Sequence, residues 1–519
     1  MSCSKIFLGD LPEIVYGIIK NFQNDYTTLH SCVLVNRLWC RLAIPLLWEN
    51  PFSTPTGNYN FIEVYLYNLN DCLKTKINDY QIIDHLLPSN TLFNYPSFIR
   101  YLDIFKITHY IEMWLETNDK TSNLVFQSVY EFKELISMSL IKLFIDNEIN
   151  LHTLKITIST NFIVYINNIL EIILKNPNLI NNIKNLEFSI LTSNTLIEYR
   201  ISQIINSHQN LKRILLGNDS LSLYQSLLLS KESNCSNTLS TIIFYYVNFN
   251  DRINNLVKVI ENLNVLESVH IIYCFSLDSF IQQIINLSKP FKLKSLFITG
   301  NFQIDLLQSL LQKYGNYLEN FGYGDYLEDI WYEFDRSLTQ QSLELTIKYC
   351  RNIKFLDLYR IGSQITSQVF GLIENIKQNL NHLSINVGNG NNELILQNLG
   401  QILPSRLEYL SLVLHIKTSD FEVFLKNSQN TLVEKLVINN MVEGLIINIL
   451  PYIKEHIMKK KRVKYLAIKT TLSIIDFNRN DEDLFDSKEQ VKEFKLHNIK
   501  VLKYANLSTG IYRFVNEID

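Results

Sequence analysis

The feature that most constrains the fold is a short apolar line of the form Leu-x-x-Leu-x-Leu that keeps returning from residue 151 onward. It reads Leu151, Leu154, Ile156; Ile183, Leu186, Phe188; Leu211, Ile214, Leu216; Leu239, Ile242, Phe244; Leu266, Val269, Ile271; Leu293, Leu296, Ile298; and Leu318, Phe321, Tyr323. It continues as Ile353, Leu356, Leu358; Leu380, Leu383, Ile385; Leu407, Leu410, Leu412; Val433, Leu436, Ile438; Val463, Leu466, Ile468; and Val491, Phe494, Leu496. Successive middle residues lie about 28 apart, mostly about 25 to 30. A unit of this size cannot bury its own apolar line, so neighbouring units must stack. The lines are expected to form short parallel strands on an inner face, with helices on an outer face. Candidate helices run from Ile163 to Lys175, Leu256 to Leu263, Phe280 to Leu287, Val369 to Ile376 and Met441 to Met458. The longest step, Phe321 to Leu356, contains Glu328 to Asp335, expected as an extended helix or an inserted contact loop. The fold class is therefore α/β, and an α/β protein of another topology is the alternative.

A different pattern occupies the first fifty residues. Asp10-x-x-Glu13 with Pro12 in the first turn is a helix start, the aspartate accepting from free N–H groups and the glutamate reaching back. Leu11, Ile14, Val15, Ile18, Ile19 and Phe22 then recur at three- and four-residue steps. A second run, Leu29, Cys32, Val33, Asn36, Trp39, Leu42 and Ile44, is interrupted near Asn36, and Pro45 is expected to end it ahead of Leu46 and Trp48. The expectation is three short helices over residues 6–50, with too little surface to be robust alone.

Leu11-Pro12, Ile14, Ile18, Ile19, Leu29, Cys32, Val35-Asn36, Trp39, Leu42, Leu46 and Trp48 follow the order of the F-box, which this segment resembles. Glu13 directly follows Pro12, where many members have an intervening residue. The resemblance implies that these residues form a helical core and a docking face for the Skp-type adaptor of a cullin-RING ubiquitin ligase. An ordinary N-terminal helical cap on a larger core is the bland alternative.

The repeated region resembles the leucine-rich repeats that often follow an F-box. The family's Asn or Cys three residues after the last apolar position is found here only as Asn301 and Cys274, so an irregular horseshoe is expected. The implied architecture is a three-helix F-box over 6–50, a mostly helical linker and first repeat over 51–150, and a leucine-rich-repeat solenoid over 151–510. The stretch Asn50 to Gly57 reads as a linker. Within 61–148 one line, Ile99, Leu102, Ile104, is strand-like.

Catalytic chemistry is not in view. A net charge of -3 with 19% charged residues gives no basic field for nucleic acid or a membrane surface. Cys3, Cys32, Cys40, Cys72, Cys235, Cys274 and Cys350 form no C-x-x-C pair, which suits reduced thiols in the cytoplasm or nucleus. No uncharged apolar run approaches a membrane span, so a soluble protein is expected. Gly322-Tyr-Gly324 and Gly388-Asn-Gly390 lack the rest of a phosphate-binding fingerprint and read as turns. The histidines show no zinc spacing, and His270 and His382 read as surface residues of repeat strands. No metal, cofactor or nucleophile set is expected. Met458 to Arg462 reads as the solvated end of a helix, with a nuclear address as the alternative.

Strand side chains alternate, so residues between the buried positions face outward. Tyr245, Phe297, Phe355, Asp357, Tyr359, Tyr409 and Tyr465 form that set, with Lys435, Lys469 and Lys495 as a basic rim. They either anchor a protein substrate or pack on one another or on a carboxyl-terminal segment. The resemblances together imply a non-catalytic substrate-recognition subunit that reaches cullin and RING subunits through the adaptor. An interaction scaffold not coupled to ubiquitination is the alternative.

Overall fold

Nearly every apolar line becomes a strand, and the strands pair in the order in which the sequence presents them. The protein is described here by a computed structural model. It describes residues 11–519 apart from 24, 54–58, 81–90, 118–125, 159–162, 191–193, 208–209, 219–222, 224–233, 250–255, 289–290, 300–301, 325–335, 389–392, 443–448, 473–480, 509, 512–513 and 516–519. The chain is mixed α/β and divides into two compact units, Met1–Ile242 with Lys258–Leu266, and Ile243–Val257 with Glu267–Asp519. That division falls inside the repeated stretch.

In the first unit, β1 (Tyr101–Asp103), β2 (Thr153–Ile158), β3 (Asn185–Ile190) and β4 (Arg213–Asn218) are parallel neighbours. The middle residues of their lines, Leu102, Leu154, Leu186 and Ile214, are register partners. Helices Ile104–Thr117, Phe126–Asp146, Ile163–Lys175 and Thr195–Ser207 connect or flank them. β5 (Thr241–Tyr245) lies at the division between the units.

The second unit carries β6 (Ser268–Cys274), β7 (Lys292–Ile298), β8 (Asn320–Tyr323), β9 (Phe355–Leu358), β10 (His382–Gly388), β11 (Arg406–Leu414), β12 (Leu432–Val442) and β13 (Val463–Leu472), all parallel and in order. Leu296, Phe321, Leu356, Leu383, Leu410, Leu436 and Leu466 stand level across seven of them. β14 (Glu482–Asp483) is antiparallel to β13, and β15 (Lys500–Val501) parallel to it. Intervening helices include Asp278–Ile285, Ile304–Tyr314, Arg336–Tyr349, Thr366–Ile376, Glu393–Ile402 and Thr418–Asn427. They approach closely: a Cβ on Gly400 would sit 2.6 Å from the Phe424 carbonyl oxygen.

One backbone device recurs at the base of the strands. A single carbonyl accepts from two consecutive N–H groups of the next strand's entry. Glu49 O takes Arg100 and Tyr101, Arg100 O takes His152 and Thr153, His152 O takes Lys184 and Asn185, and Lys184 O takes Lys212 and Arg213. In the second unit Glu319 O takes Lys354 and Phe355, Lys354 O takes Asn381 and His382, and Asn381 O takes Glu408 and Tyr409.

The structure departs from the sequence reading in several places. Val491, Phe494 and Leu496 lie on a helix, Lys488–Leu496, and Leu496 is 83% exposed. Charged residues fill the positions between them at helical spacing, and β15 takes the strand's place beside β13. Met441 belongs to β12, which stays paired with β13 through Val442, and among the described residues the next helix is Leu450–Ile453. Pro45 sits inside the helix Arg37–Leu47, where Trp48 N–H still reaches Ile44 O at 3.0 Å. Gly322 lies within β8 rather than in a turn, and Gly324 follows it at φ 138. Ile271, not Val269, is level with Leu296, because the β6–β7 register shifts. Phe52 in the expected linker is buried against Tyr65, Tyr110 and Phe144. Asp10, Asn301, residues 328–335 and Asn389-Gly390 lie outside the described residues.

The basic run at 458–462 is split. Lys459, Lys460 and Lys461 form an exposed turn, while Arg462 is buried and its guanidinium donates to the carbonyls of Ser428, Thr431 and Leu425. It closes the carboxyl end of helix Thr418–Asn427, whose last carbonyls have no partner within the helix. Burial holds its pKa below the usual guanidinium value.

Candidate functional site

Two surfaces collect the residues singled out from sequence. The first is built by helices Pro12–Lys20, Tyr26–Val33 and Arg37–Leu47. Pro12 opens the first, where its missing N–H costs nothing. The Asp25 carboxylate caps the second by accepting from Thr28 N–H at 3.1 Å, and Asn36 caps the third by accepting from Trp39 N–H at 3.0 Å.

The predicted adaptor-binding residues separate into two sets. Ile19, Leu29, Cys32, Trp39 and Leu46 join Val15 and Ala43 in the core of the three helices, with Leu42 packed against it. Trp48 is half-buried against Tyr65 and Tyr95, with ring centroids 5.4 and 4.3 Å away. Pro12, Ile14, Ile18 and Val35 are exposed, and Leu11 is half-buried. Ile14 is 44% exposed, Ile18 38%, Val35 50% and the neighbouring Leu34 75%. Leu11, Ile14 and Ile18 are three and four residues apart and so form one stripe. Leu34 was not foreseen, because a turn residue leaves no trace in helical periodicity.

The second surface is the sheet's outward face in the second unit, where, of the two alternatives, packing on one another and on a carboxyl-terminal segment describes most of the set. Phe297, Phe355, Asp357 and Tyr409 are buried, while Tyr245, Tyr359 and Tyr465 are half-buried. Phe355, His382 and Tyr409 occupy one register row, and their rings stack with centroid separations of 4.0 Å at each step. Phe297 lies over Gly322, where a Cβ would collide with its ring. Tyr273 Oη donates to Asp357 Oδ2 at 3.2 Å.

This aromatic ladder is covered by the segment after β15. Phe514 sits 4.0 Å from the Phe355 ring centroid and 5.7 Å from that of Phe297. Leu507 clusters with Tyr409, Val437 and Ala467, and Leu502, Tyr504 and Tyr465 pack around it.

The basic rim does not assemble. Lys469 Nζ pairs with Asp481 Oδ2 at 2.6 Å, Lys495 is on the surface helix, and Lys435 alone is an exposed strand lysine of the three.

His270 and His382 are not surface side chains. His270 is buried with Nδ1 2.7 Å from Ser295 Oγ. His382 is held between two rings, and among the described residues its Nε2 has no hydrogen-bond partner. Burial, with Lys435 nearby, pushes its pKa down from 6.5 to about 3. A histidine whose folded pKa is depressed favours unfolding as pH falls below its unfolded value. The wild-type chain is therefore expected to lose stability relative to His382→Phe between pH 6.5 and about 3, by up to about 1.4 kcal/mol per pH unit. Parallel stability-versus-pH curves for the two proteins would sink the idea.

The outward face of the first unit carries charge instead. Asp103, Lys155 and Glu187 are register partners, with Lys155 Nζ 3.8 Å from Asp103 Oδ2 and 3.7 Å from Glu187 Oε2. Arg213 Nη1 donates to Glu187 Oε1 at 2.8 Å, and both are buried. Burial raises the pKa of Asp103, against the pull of Lys155. The signal was present: acid, base and acid stand at the same place in successive apolar lines.

Among the described residues no cluster of His, Cys, Asp or Glu is placed to hold a metal ion, and no helix is long and apolar enough to cross a membrane. No family model matches the chain, and no curated protein matches it.

Proposed function

We propose that this chain is a non-catalytic substrate-recognition subunit of a Skp-cullin-F-box type ubiquitin ligase, with an F-box at its amino terminus and an irregular leucine-rich-repeat solenoid behind it. The observation that carries this reading is the division of labour in the first three helices. Their core is already filled by Val15, Ile19, Leu29, Cys32, Trp39, Ala43 and Leu46, yet Ile14, Ile18, Leu34 and Val35 remain in water. Large apolar side chains left out of a core that is already complete suit burial by a partner. In this reading the partner is a Skp-type adaptor, which brings cullin and RING subunits. A target protein is held on the outward face of the repeats, and the assembly works by raising the effective concentration of target lysines near charged ubiquitin. It acts in the cytoplasm, the nucleus or both.

The test is affinity purification of the full chain with a Skp-type adaptor supplied in excess. Stoichiometric co-purification supports the ligase reading. An adaptor that never co-purifies, with partners still captured by the repeats, supports the scaffold reading in its place.

A further inference from the structure

The segment that covers the aromatic ladder is attached differently from every strand beside it. Leu502 N–H still bonds Leu466 O at 2.9 Å, as a sheet residue would. Beyond it, the described backbone hydrogen bonds are local: Asn506 and Leu507 to Lys503 O, Ser508 to Tyr504 O, and Phe514 to Gly510 O. One side chain holds its start, the Asp483 carboxylate accepting from Tyr504 N–H at 2.8 Å. Side chains supply further attachment: Tyr504, Leu507, Ile511 and Phe514 follow one another at steps of three, four and three residues, and Val515 beside them is fully buried. Leu507 and Ile511 are buried, and Phe514 lies on Phe355.

We propose that this segment is a cis ligand of the ladder, a strap that competes with a target segment of the same chemistry. That segment carries aliphatic or aromatic side chains at three- and four-residue spacing, for the row formed by Phe355, His382 and Tyr409. The substrate class rests on the ligase reading above, whereas the exchange itself does not. Anchors at this spacing can equally be offered by another chain that carries them. Ordering the strap costs backbone entropy at every residue, which offsets much of what its buried side chains return, so the closed form outweighs the open one by a finite factor, on the order of 100, that a competitor or a substitution can overcome. Tethering gives the strap a local concentration that a free competitor must exceed.

The experiment uses the full chain and a fluorescein-labelled peptide of the sequence Leu502 to Asp519, read by polarisation. Wild type, its groove filled, is compared with Leu507→Asp/Phe514→Asp. The variant is expected to bind the peptide at least about 100-fold more tightly than wild type, and a peptide with the same two aspartates is expected to bind neither. Equal binding to both proteins overturns the proposal, as does no binding to a variant that keeps the wild-type circular dichroism spectrum. If the variant does not fold, hydrogen exchange of wild type decides. Amides of 504–508 and 514 are expected to exchange at least about 100-fold faster than those of β11 and β12, and equal protection overturns the strap. Adaptor co-purification is independent of both measurements, so the ligase reading and the strap fail separately.

Discussion

Replacing Leu11, Pro12 and Ile14 together by alanine is expected to weaken co-purification of a Skp-type adaptor by at least about 100-fold, with the thermal unfolding of the chain little changed. The reasoning separates exposure from burial. Pro12 and Ile14 lie in solvent and Leu11 at the half-buried edge, so their removal takes away little packing. Anchors at the centre of an interface commonly cost 2 kcal/mol or more each on truncation. Ile19→Ala is the control: Ile19 is fully buried, and its loss is expected to cost about 2–5 kcal/mol of stability. The two variants therefore fail in different assays. Undiminished adaptor binding by the triple variant would refute docking through this stripe.

The largest expected effect on folding belongs to Glu187. It answers Arg213 at 2.8 Å and Lys155 at 3.7 Å, and it is itself buried. Glu187→Ala leaves a buried guanidinium without its counter-charge and is expected to destabilise the chain by about 3–5 kcal/mol in chemical denaturation. The pair itself contributes far less than that figure, because both ions were desolvated to make it. Glu187→Leu with Arg213→Met is accordingly expected to recover most of the loss. A cost under about 1 kcal/mol for the single variant, or a double variant no better than the single, would count against this assignment of the charges.

What was legible in sequence is what burial on one side dictates. Leu154, Leu186 and Leu296 announce their strands because each must face a helix layer, and this requirement repeats with every unit. The break near Asn36 falls where that residue caps the third helix, by a bond only three residues long. What stayed hidden depends on partners distant along the chain. Nothing near Tyr409 says that Leu507 will lie on it, and nothing near Phe355 announces Phe514. The buried outward face did leave a trace, in the apolar runs Ile271 to Cys274 of β6 and Leu296 to Ile298 of β7, where a half-exposed strand would alternate. Val491 and Phe494 misled because their three-residue step suits a helix, while Leu496, five residues from Val491, falls off that face and lies exposed; the lysines and glutamates between them belong to the helix. Among the first three helices, periodicity identified the apolar positions but not which would stay in water. That depends on how the second and third helices fill the core.

The forked carbonyl at the base of the strands has a consequence for how such a chain can change over time. It is made by Glu49, Arg100, His152 and Lys184, and again by Glu319, Lys354 and Asn381, residues with little in common. Any residue supplies the acceptor, and any but proline supplies the N–H groups that meet it. Register is thereby held by atoms common to nearly all amino acids, and the joint itself does not depend on which side chain stands there. A lineage built in this way can rewrite its polar surface and keep its architecture.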